Sequence, residues 1–210
     1  MNKDTETWEK QEGVIFLRKI GIKIGQTVLD FGCGAGHYTI PAAKIMENSG
    51  IVYAMDTQQH ALKELRQKAK AHNLTNIKII KTSGRMKLPV ESRTIDAVLF
   101  YDVLHYLGKR DRKKLYAEAF RLLKQDGFLS VYPKHTLEDG PMQEFRGLSL
   151  SDVKQEIEGS NFVFERKHCG LISHDDGLNQ GCVLNFSKYE EMEKYERNRN
   201  FKNYYRAIPQ

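Results

Sequence analysis

Short apolar runs that alternate with helix-like segments are the feature that most limits what this chain can fold into. The runs, bounded by turn residues, recur at Thr27–Phe31, Ile51–Met55, Ile77–Lys81, Ile95–Phe100 and Phe128–Tyr132. Several segments between them have helical spacing, as in HALKELRQKAKAH and in RDRKKLYAEAFRLLK, which we expect to end at the following QDG turn. The alternation predicts an α/β fold with a doubly wound, mostly parallel sheet and helices on both faces.

The C-terminal part of the chain departs from this pattern. After the helix-like SLSDVKQEIEGS come two apolar runs, NFVFERKHC and GCVLNFSK, joined by the turn-rich SHDDGLNQ. These runs predict an antiparallel hairpin at one edge of the sheet. We therefore assign residues 1–187 to one domain and residues 188–210 to a charged C-terminal tail, with a surface helix slightly favoured over disorder.

Composition limits the classes of partner. The formal net charge of +6 comes from dispersed Lys and Arg beside acids, which indicates a solvated mixed surface and no nucleic-acid partner. No apolar run is long enough for a membrane span or a signal peptide, so we expect a cytoplasmic protein. Cys33, Cys169 and Cys182 lack CxxC spacing, so we expect reduced thiols and no metal site. The oligomeric state is not fixed by these features.

A glycine-rich turn follows the first predicted strand. Gly32, Gly34 and Gly36 allow a sharp turn and let a ligand approach the backbone. Asp56 ends the second apolar run about twenty residues later, where an acid can accept hydrogen bonds from ribose hydroxyls. Asp30 lies just before the glycines, where a carboxylate disfavours an anionic pyrophosphate and favours a cationic ligand. The pattern predicts a nucleotide-type ligand that carries positive charge.

Four segments in order resemble a known family. VLDFGCGAG, VYAMD, KLPVESRTIDAVLFYDVLHYL and AFRLLKQDGFLSVYP are similar to the motifs of class I S-adenosylmethionine-dependent methyltransferases, within a likeness that covers roughly residues 10 to 186. The chain is most similar in type to the small single-domain members such as the ubiquinone and menaquinone methyltransferases. The resemblance implies a Rossmann-like sheet of seven strands, mostly parallel, with an antiparallel edge strand.

The resemblance also implies a cofactor and its binding residues. S-adenosyl-L-methionine (SAM) would bind and leave as S-adenosyl-L-homocysteine (SAH). Asp30 and the glycine loop with Cys33 would hold the methionine part, Asp56 the ribose, and Thr57 and Gln58 would lie near the adenine. Many relatives have an acid where this chain has Gly84, so Ser83, Arg85 or backbone groups are expected to replace that contact. The residues implied for cofactor binding are Asp30, Gly32, Cys33, Gly34, Gly36, Asp56, Thr57, Gln58, Ser83, Gly84, Arg85 and Tyr101.

The chemistry that the resemblance implies is in-line methyl transfer to an acceptor, which requires alignment and exclusion of water but neither a metal nor a covalent nucleophile. The candidates for a general base follow the fourth strand, at Tyr101, Asp102 and His105, and the fifth strand, at Lys134 and His135. Tyr101 and His135 are kept as weak candidates, and His105 is expected to be a hydrogen-bonded structural residue. FYDV replaces the tetrad of enzymes that methylate nucleic-acid amino groups, so a small-molecule acceptor is favoured. The Thr136–Leu148 loop and the segment around Trp8 are expected to cover it.

Two other functions stay open at this point. The domain could bind SAM as a sensor or scaffold without transferring the methyl group. It could also be a dinucleotide-dependent oxidoreductase, because Asp56 suits the ribose of either ligand. Asp30 argues against the dinucleotide, since a buried carboxylate would repel the pyrophosphate at the glycine turn.

Overall fold

The computed structural model describes residues 3–84, 86–175 and 177–189. Its seven strands are β1 Thr27–Phe31, β2 Ile51–Asp56, β3 Ile77–Lys81, β4 Ile95–Tyr101, β5 Leu123–Tyr132, β6 Phe162–His174 and β7 Gly177–Lys188. The α-helices in these ranges are α1 Lys3–Thr7, α2 Gly13–Ile20, α3 Thr39–Met46, α4 Gln59–Ala71, α5 Lys109–Leu122 and α6 Leu150–Glu158. The predicted strand–helix alternation is therefore present.

The strands form one sheet in the order β3-β2-β1-β4-β5-β7-β6. β1 pairs in parallel with both β2 and β4, and β7 pairs antiparallel with both β5 and β6. The strand order reverses between β1 and β4, so the loops after these strands turn in opposite directions and leave a crevice at their carboxyl ends. The doubly wound, Rossmann-like sheet with an antiparallel edge is confirmed.

Both faces of the sheet are covered, and β4 shows this most clearly. Val98 and Phe100 belong to a buried cluster that includes side chains of α5 and α6. Their neighbours Ala97, Leu99 and Tyr101 belong to a second cluster with α2 and α3. Because successive strand residues point to opposite faces, a continuous apolar run is what a central strand between two helical layers requires.

The N-terminal segment is part of the core. Trp8 is fully buried, and its Nε1 donates to the carbonyl of His37 at 2.8 Å. Glu9 is also buried and pairs with Lys68 on α4 at 2.7 Å. The expectation that the Trp8 segment is free to cover an acceptor therefore does not match its position, because its side chains fix α3 and α4 in place.

Two boundaries differ from the sequence prediction. The expected QDG turn at 125–127 lies inside β5, where Ile95 pairs with Leu123 and Ala97 with Phe128. The residues of β5 between these two pairs bulge out, and pairing with β4 then resumes, so the strand continues beyond the predicted QDG turn. In the hairpin, β6 and β7 extend into the segment expected to be a long loop, ending at His174 and beginning again at Gly177.

The prediction of three reduced thiols is wrong. Cys169 and Cys182 form a disulfide, and only Cys33 among the cysteines is free, in a buried position. The two cysteines lie directly opposite each other in the β6–β7 register, with their Cα atoms 4.1 Å apart. Cross-strand neighbours in an antiparallel pair can be bridged without any sequence signature, because it is the register that brings them together.

The end of the described chain is tied to the sheet. Lys188, which we placed at the start of the tail, is the last residue of β7 and is buried. Tyr189 donates its backbone N–H to Asn161 at 2.8 Å. The remainder of the predicted helical tail, residues 190–210, lies outside the described residues. Within the described ranges, no helix is long and apolar enough to cross a membrane.

Candidate functional site

The loop after β1 folds back onto the end of β2. The backbone N–H groups of Gly32 and Cys33 both donate to the Met55 carbonyl, at 2.8 and 3.0 Å. Gly36 donates to Cys33 at 2.9 Å and has a φ of 92°. A Cβ at Gly36 would also overlap Cδ1 of Leu65 on α4. Backbone conformation and helix packing therefore both require glycine at the end of this loop.

Gly34 is the glycine of the loop that faces open space. Its φ is 51°, and a Cβ built there would meet no atom within 4 Å. Its N–H donates to Oδ2 of Asp56 at 2.8 Å, while Oδ1 of the same carboxylate accepts from the Gln58 N–H at 2.8 Å. The half-buried Asp56 carboxylate thus ties the glycine loop to the start of α4 beside exposed backbone. A ligand with hydroxyl groups can approach both.

A cavity of about 350 Å³ opens at this point, and we call it the glycine-loop cavity. Six of the predicted cofactor residues line it: Gly32, Gly34, Asp56, Thr57, Gln58 and Gly84. The sequence interpretation missed its apolar walls and two hydroxyl-bearing side chains, which come from Phe31, Met55, Thr82, Met86, Val103, Tyr106 and Leu107. Ser83 is exposed and does not line this cavity, and Arg85 lies outside the described residues.

Asp30 lies beneath the glycine loop and lines neither of the two cavities described in this section. Its side chain is 2% exposed, and Oδ2 accepts from the Thr39 hydroxyl at 2.5 Å. Burial raises the pKa of Asp30 to about 7, against the effect of the Thr39 hydrogen bond, and the nearby Asp56 raises it further. Direct contact between Asp30 and a ligand stays a prediction, but its charge lies close below the loop that a ligand would touch.

A second cavity of about 320 Å³, which we call the histidine-side cavity, adjoins the first. Both are lined by Gly32, Gly34 and Asp102. The histidine-side cavity continues toward the end of β6, with walls from Cys33, Ala35, His37, Tyr38, Tyr101, Ser173, His174 and Asp175. The glycine loop therefore separates two spaces that meet at the carboxyl ends of β1 and β4.

Tyr101 forms an aromatic wall of the histidine-side cavity. It is 4% exposed, its hydroxyl lies 2.7 Å from Oγ of Ser130, and its ring contacts that of Tyr38 edge to face with centroids 4.5 Å apart. Burial raises the pKa of Tyr101 well above its usual range. The hydroxyl therefore keeps its proton at neutral pH, which suits packing better than the base role that we considered for it.

His135 does belong to a group of polar side chains. Asp102 follows β4, His135 follows β5 and His174 ends β6. Nδ1 of His174 lies 2.6 Å from Oδ2 of Asp102, and Nε2 of His135 lies 3.9 Å from Oδ1 of Asp102. Burial raises the pKa of Asp102, while the two histidines act in the opposite direction. We call Asp102, His135 and His174 the histidine cluster.

His105 lies beneath the histidine cluster. It is 1% exposed, and its ring centroid is 4.6 Å from that of His135. Burial, followed by the neighbouring His135 and His174, lowers the pKa of His105 to about 4, so this ring is neutral at pH 7. We expected a hydrogen-bonded residue, but in the described part of the chain neither ring nitrogen has a hydrogen-bond partner.

The Thr136–Leu148 loop is closed on itself beside this cluster. The Leu137 N–H donates to the carbonyl of Leu148 at 2.8 Å, and Phe145 is fully buried. The loop reaches the cluster through Gly140, whose carbonyl lies 3.1 Å from Nδ1 of His135. Its residues line neither cavity, so the covering role expected for this loop stays a prediction.

The sequence interpretation missed His174, although a topological signal was available. β7 runs antiparallel to both β5 and β6, so β6 runs in the same direction as β5. The carboxyl end of β6 therefore lies at the same edge of the sheet as the ends of β4 and β5. The SHDD segment was interpreted as a turn only, because the register of the hairpin is needed to place its histidine, His174.

Comparison with known proteins agrees with this geometry. Residues 28–127 match the family described as "Methyltransferase domain". The chain is similar to a demethylmenaquinone methyltransferase of Lactobacillus johnsonii, with 31% identity over 124 residues, which is 59% of this chain and 48% of that protein. It is also similar to a probable cobalt-precorrin-6B C(15)-methyltransferase (decarboxylating) of Saccharolobus solfataricus, with 30% identity over 55% of this chain and 56% of that protein.

The chain thus spans about half the length of these curated relatives. Among solved structures, a SAM-dependent methyltransferase from Aquifex aeolicus has the same fold, with a TM-score of 0.69 and 23% identity over 86% of this chain and 92% of that one. Residues 28–127 are thus similar to the methyltransferase-domain family, and the described chain has the seven-stranded fold of a solved SAM-dependent methyltransferase.

Proposed function

We propose that this protein binds SAM in the glycine-loop cavity, transfers its methyl group to a small molecule in the histidine-side cavity, and releases SAH. The observation that carries this proposal is the pair of adjoining cavities that share Gly32, Gly34 and Asp102. Two ligands in these spaces would meet at the glycine loop. A methyl donor and its acceptor need this arrangement, because the reacting atoms must be held in line and in contact.

The residues of the glycine-loop cavity fit SAM. Gly34 leaves backbone open to the ligand, and the Asp56 carboxylate has further acceptor capacity beside the two N–H groups that it already binds. Apolar walls such as Met86 and Val103 suit the flat face of a base. Asp30 beneath the loop favours a positively charged ligand over an anionic one. Ribose contact by Asp56 and adenine contact by Thr57 and Gln58 are part of this proposal.

The protein's contribution to the reaction is positioning. SAM, when bound, supplies a methyl group on a cationic sulfur with a neutral leaving group. The buried rings of Tyr38 and Tyr101 exclude water from one side of the histidine-side cavity. Where the acceptor must lose a proton, Asp102 and His174 in the cavity wall are better placed to receive it than Tyr101, whose hydroxyl is bonded to Ser130.

A small-molecule acceptor is favoured by the size of the histidine-side cavity and by the relatives. Its volume of about 320 Å³ is in the range of small-ligand sites. Both curated relatives described above are named for small-molecule substrates. A cytoplasmic location and the absence of a nucleic-acid partner are also part of the proposal.

The test combines binding with transfer. Calorimetry with SAM, SAH and NAD should show binding of the first two only. The chain with SAM labelled on the methyl group is then incubated with a cell extract divided into small-molecule, protein and RNA fractions, and label should appear in the small-molecule fraction. Tight SAM binding without transfer to any fraction would favour a sensor or scaffold, and NAD binding in place of SAM would favour an oxidoreductase.

A further inference from the structure

The geometry points to a binding site for one divalent transition metal ion of the Zn²⁺ type, formed by Asp102, His135 and His174 at the wall of the histidine-side cavity. One oxygen of Asp102 and one ring nitrogen of each histidine all lie within 4.8 Å of one another. The metal site itself does not depend on the proposed methyl transfer. Its role toward an acceptor, given below, does rest on that function.

The spacing of the donor atoms suits a small ion. Ligands about 2.1 Å from a tetrahedral centre lie about 3.4 Å from each other. The two measured pairs lie on either side of this value, with His174 Nδ1 at 2.6 Å from Asp102 Oδ2 and His135 Nε2 at 3.9 Å from Asp102 Oδ1. These two distances end on different oxygens of Asp102, and because all three donor atoms lie within 4.8 Å of one another, shifts of up to about 1.4 Å would give the separation that a bound ion requires.

Each histidine has a second contact that orients its ring for metal binding. Nδ1 of His135 lies 3.1 Å from the Gly140 carbonyl, which can only accept, so Nδ1 donates and the lone pair is left on Nε2, facing Asp102. Nδ1 of His174 donates to Oδ2 of Asp102 at 2.6 Å, so a bound ion would replace that proton, and Nε2 lies 3.5 Å from the Asp175 carboxylate, which can accept its N–H. A ring whose far nitrogen is held by a carbonyl or a carboxylate is the usual arrangement around protein-bound metals.

Two further observations separate this cluster from an ordinary hydrogen-bonded pair. Oδ1 of Asp102 is buried, and among the described residues it has no hydrogen-bond partner, although Nδ1 of His105 lies 3.7 Å and Nε2 of His135 3.9 Å from it. Asp102 and His135 also have positive φ values, 54° and 67°. Such backbone strain is costly for residues other than glycine and concentrates at functional sites. An Asp102–His174 pair alone would use neither Oδ1 nor His135.

The donor set selects the class of metal and suggests its role. Two imidazoles and one carboxylate suit Zn²⁺ and its first-row neighbours, whereas Mg²⁺ and Ca²⁺ prefer oxygen ligands. Three protein ligands leave a position for an exchangeable ligand. Because Asp102 and His174 line the histidine-side cavity, that ligand would come from there. The acceptor class is then a molecule with an ionisable hydroxyl or thiol, which loses its proton to solvent on binding and whose deprotonated form the metal stabilises. With the ion bound, Asp102 and His174 act as ligands, and they would receive a proton only in its absence.

The test uses the full chain without an affinity tag, stripped with a chelator. Zn²⁺ is titrated against a chromophoric competitor, Co²⁺ binding is followed by visible absorption, and Mg²⁺ serves as the metal control. We expect one equivalent of Zn²⁺ or Co²⁺ to bind, and Mg²⁺ not to compete. His135→Ala and His174→Ala should each weaken Zn²⁺ binding by at least about tenfold, since even residues that only orient a ligand contribute that much.

His60→Ala is the matched control, because His60 is an exposed histidine on α4 far from the cluster in sequence. It should bind Zn²⁺ as the parent does. Circular dichroism checks that each variant is folded, and SAH affinity in the presence of chelator tests cofactor binding separately. A folded parent that binds no Zn²⁺, or Zn²⁺ binding that both cluster variants retain, would overturn the metal site, whatever the outcome of the SAM experiment.

Discussion

The two halves of the sheet build their parts of the site in different ways. In the half formed by β3, β2 and β1, the glycine loop is held by its backbone N–H groups: Gly32 and Cys33 donate to the Met55 carbonyl, and Gly34 donates to the Asp56 carboxylate, 22 residues further along the chain. In the half formed by β4, β5, β7 and β6, the histidine cluster is held by side chains, and the contact of Asp102 with His174 spans 72 residues.

This difference shows what each half demands of the sequence. A loop held by backbone N–H groups requires particular residues only where a Cβ or a φ value would prevent it, so its glycines stand out in one short segment. A cluster of side chains depends on where three separate strands end. The following predictions test whether substitutions in the two halves change stability, SAM affinity and transfer rate as differently as these two constructions imply.

The largest effect is expected from a methyl group added to the glycine loop. Gly36→Ala places a Cβ at a φ of 92° and against Leu65, so the free energy of unfolding should fall by about 2–5 kcal/mol. Gly34→Ala is the matched control, since its Cβ meets no atom within 4 Å, and it should cost about 1–2 kcal/mol. It should instead reduce SAM affinity by placing a Cβ in the cavity.

Denaturant unfolding measures the first effect and calorimetry the second. If both variants lost the same stability and Gly34→Ala bound SAM normally, the glycine loop would not be the surface that the ligand touches.

The second effect concerns the carboxylate at the end of β2. Asp56→Ala removes the acceptor for Gly34 and, on the proposed function, for the ribose, so SAM affinity should fall at least about tenfold, since a charged hydrogen bond contributes about 1.5–3 kcal/mol. Asp126→Ala removes the same charge at an exposed position and should leave the affinity unchanged. Unchanged calorimetric affinity in Asp56→Ala would mean that Asp56 acts only on the loop.

These expectations also show how much could be predicted from the sequence. β1 and β3 have the predicted bounds, and Asp56 lies at the end of β2 as expected, because short apolar runs bounded by turn residues report local structure directly. Asp30 was predicted beside the ligand, yet it is covered by the loop. The sequence places it one strand residue before the glycines but does not give the depth at which its carboxylate lies.

The histidine half could not be predicted in the same way. The disulfide between Cys169 and Cys182 and the position of His174 both follow from the β6–β7 register. That register is set by long-range pairing, and a shift of one residue would move every side chain to the opposite face. Asp102 and His135 were found because they follow obvious strands, and His174 was missed because its position follows from the topology.

A smaller effect is expected from pH on SAM affinity, through Asp30 in the half of the sheet formed by β3, β2 and β1. The pKa of Asp30 is raised to about 7 by burial, so in the free protein the carboxyl is largely protonated below pH 7. A cationic ligand favours the ionised form, so SAM affinity should rise between about pH 5 and about pH 7, by at most about tenfold per unit. Adenosine affinity should stay flat, and Asp30→Asn should remove the dependence.

Stability without ligand should change in the opposite direction. Because the folded-state pKa of Asp30, about 7, lies above the usual value of 3.8, the folded protein holds an extra proton between these pH values, and the contribution of Asp30 to the free energy of unfolding falls as pH rises toward 7. Calorimetry and unfolding experiments over this range check both signs. Parallel changes for SAM and adenosine would show that Asp30 shapes the loop and that its charge does not act on the ligand.

The smallest effect is expected from Tyr101→Phe. This variant tests whether the Tyr101 hydroxyl, in the half of the sheet that holds the histidine cluster, has a chemical role or only a packing role. The variant removes the hydroxyl bonded to Ser130 and keeps the ring against Tyr38, so the free energy of unfolding should fall by about 1 kcal/mol. Ser130→Ala should cost a similar amount, and the double variant should cost less than the sum, since the two hydroxyls bind each other.

Because burial already raises the pKa of Tyr101, the pH dependence of the transfer rate should be unchanged. If Tyr101→Phe instead lowered the rate in a pH-dependent way at full SAM occupancy, Tyr101 would be the base, and the histidine cluster would lose that role.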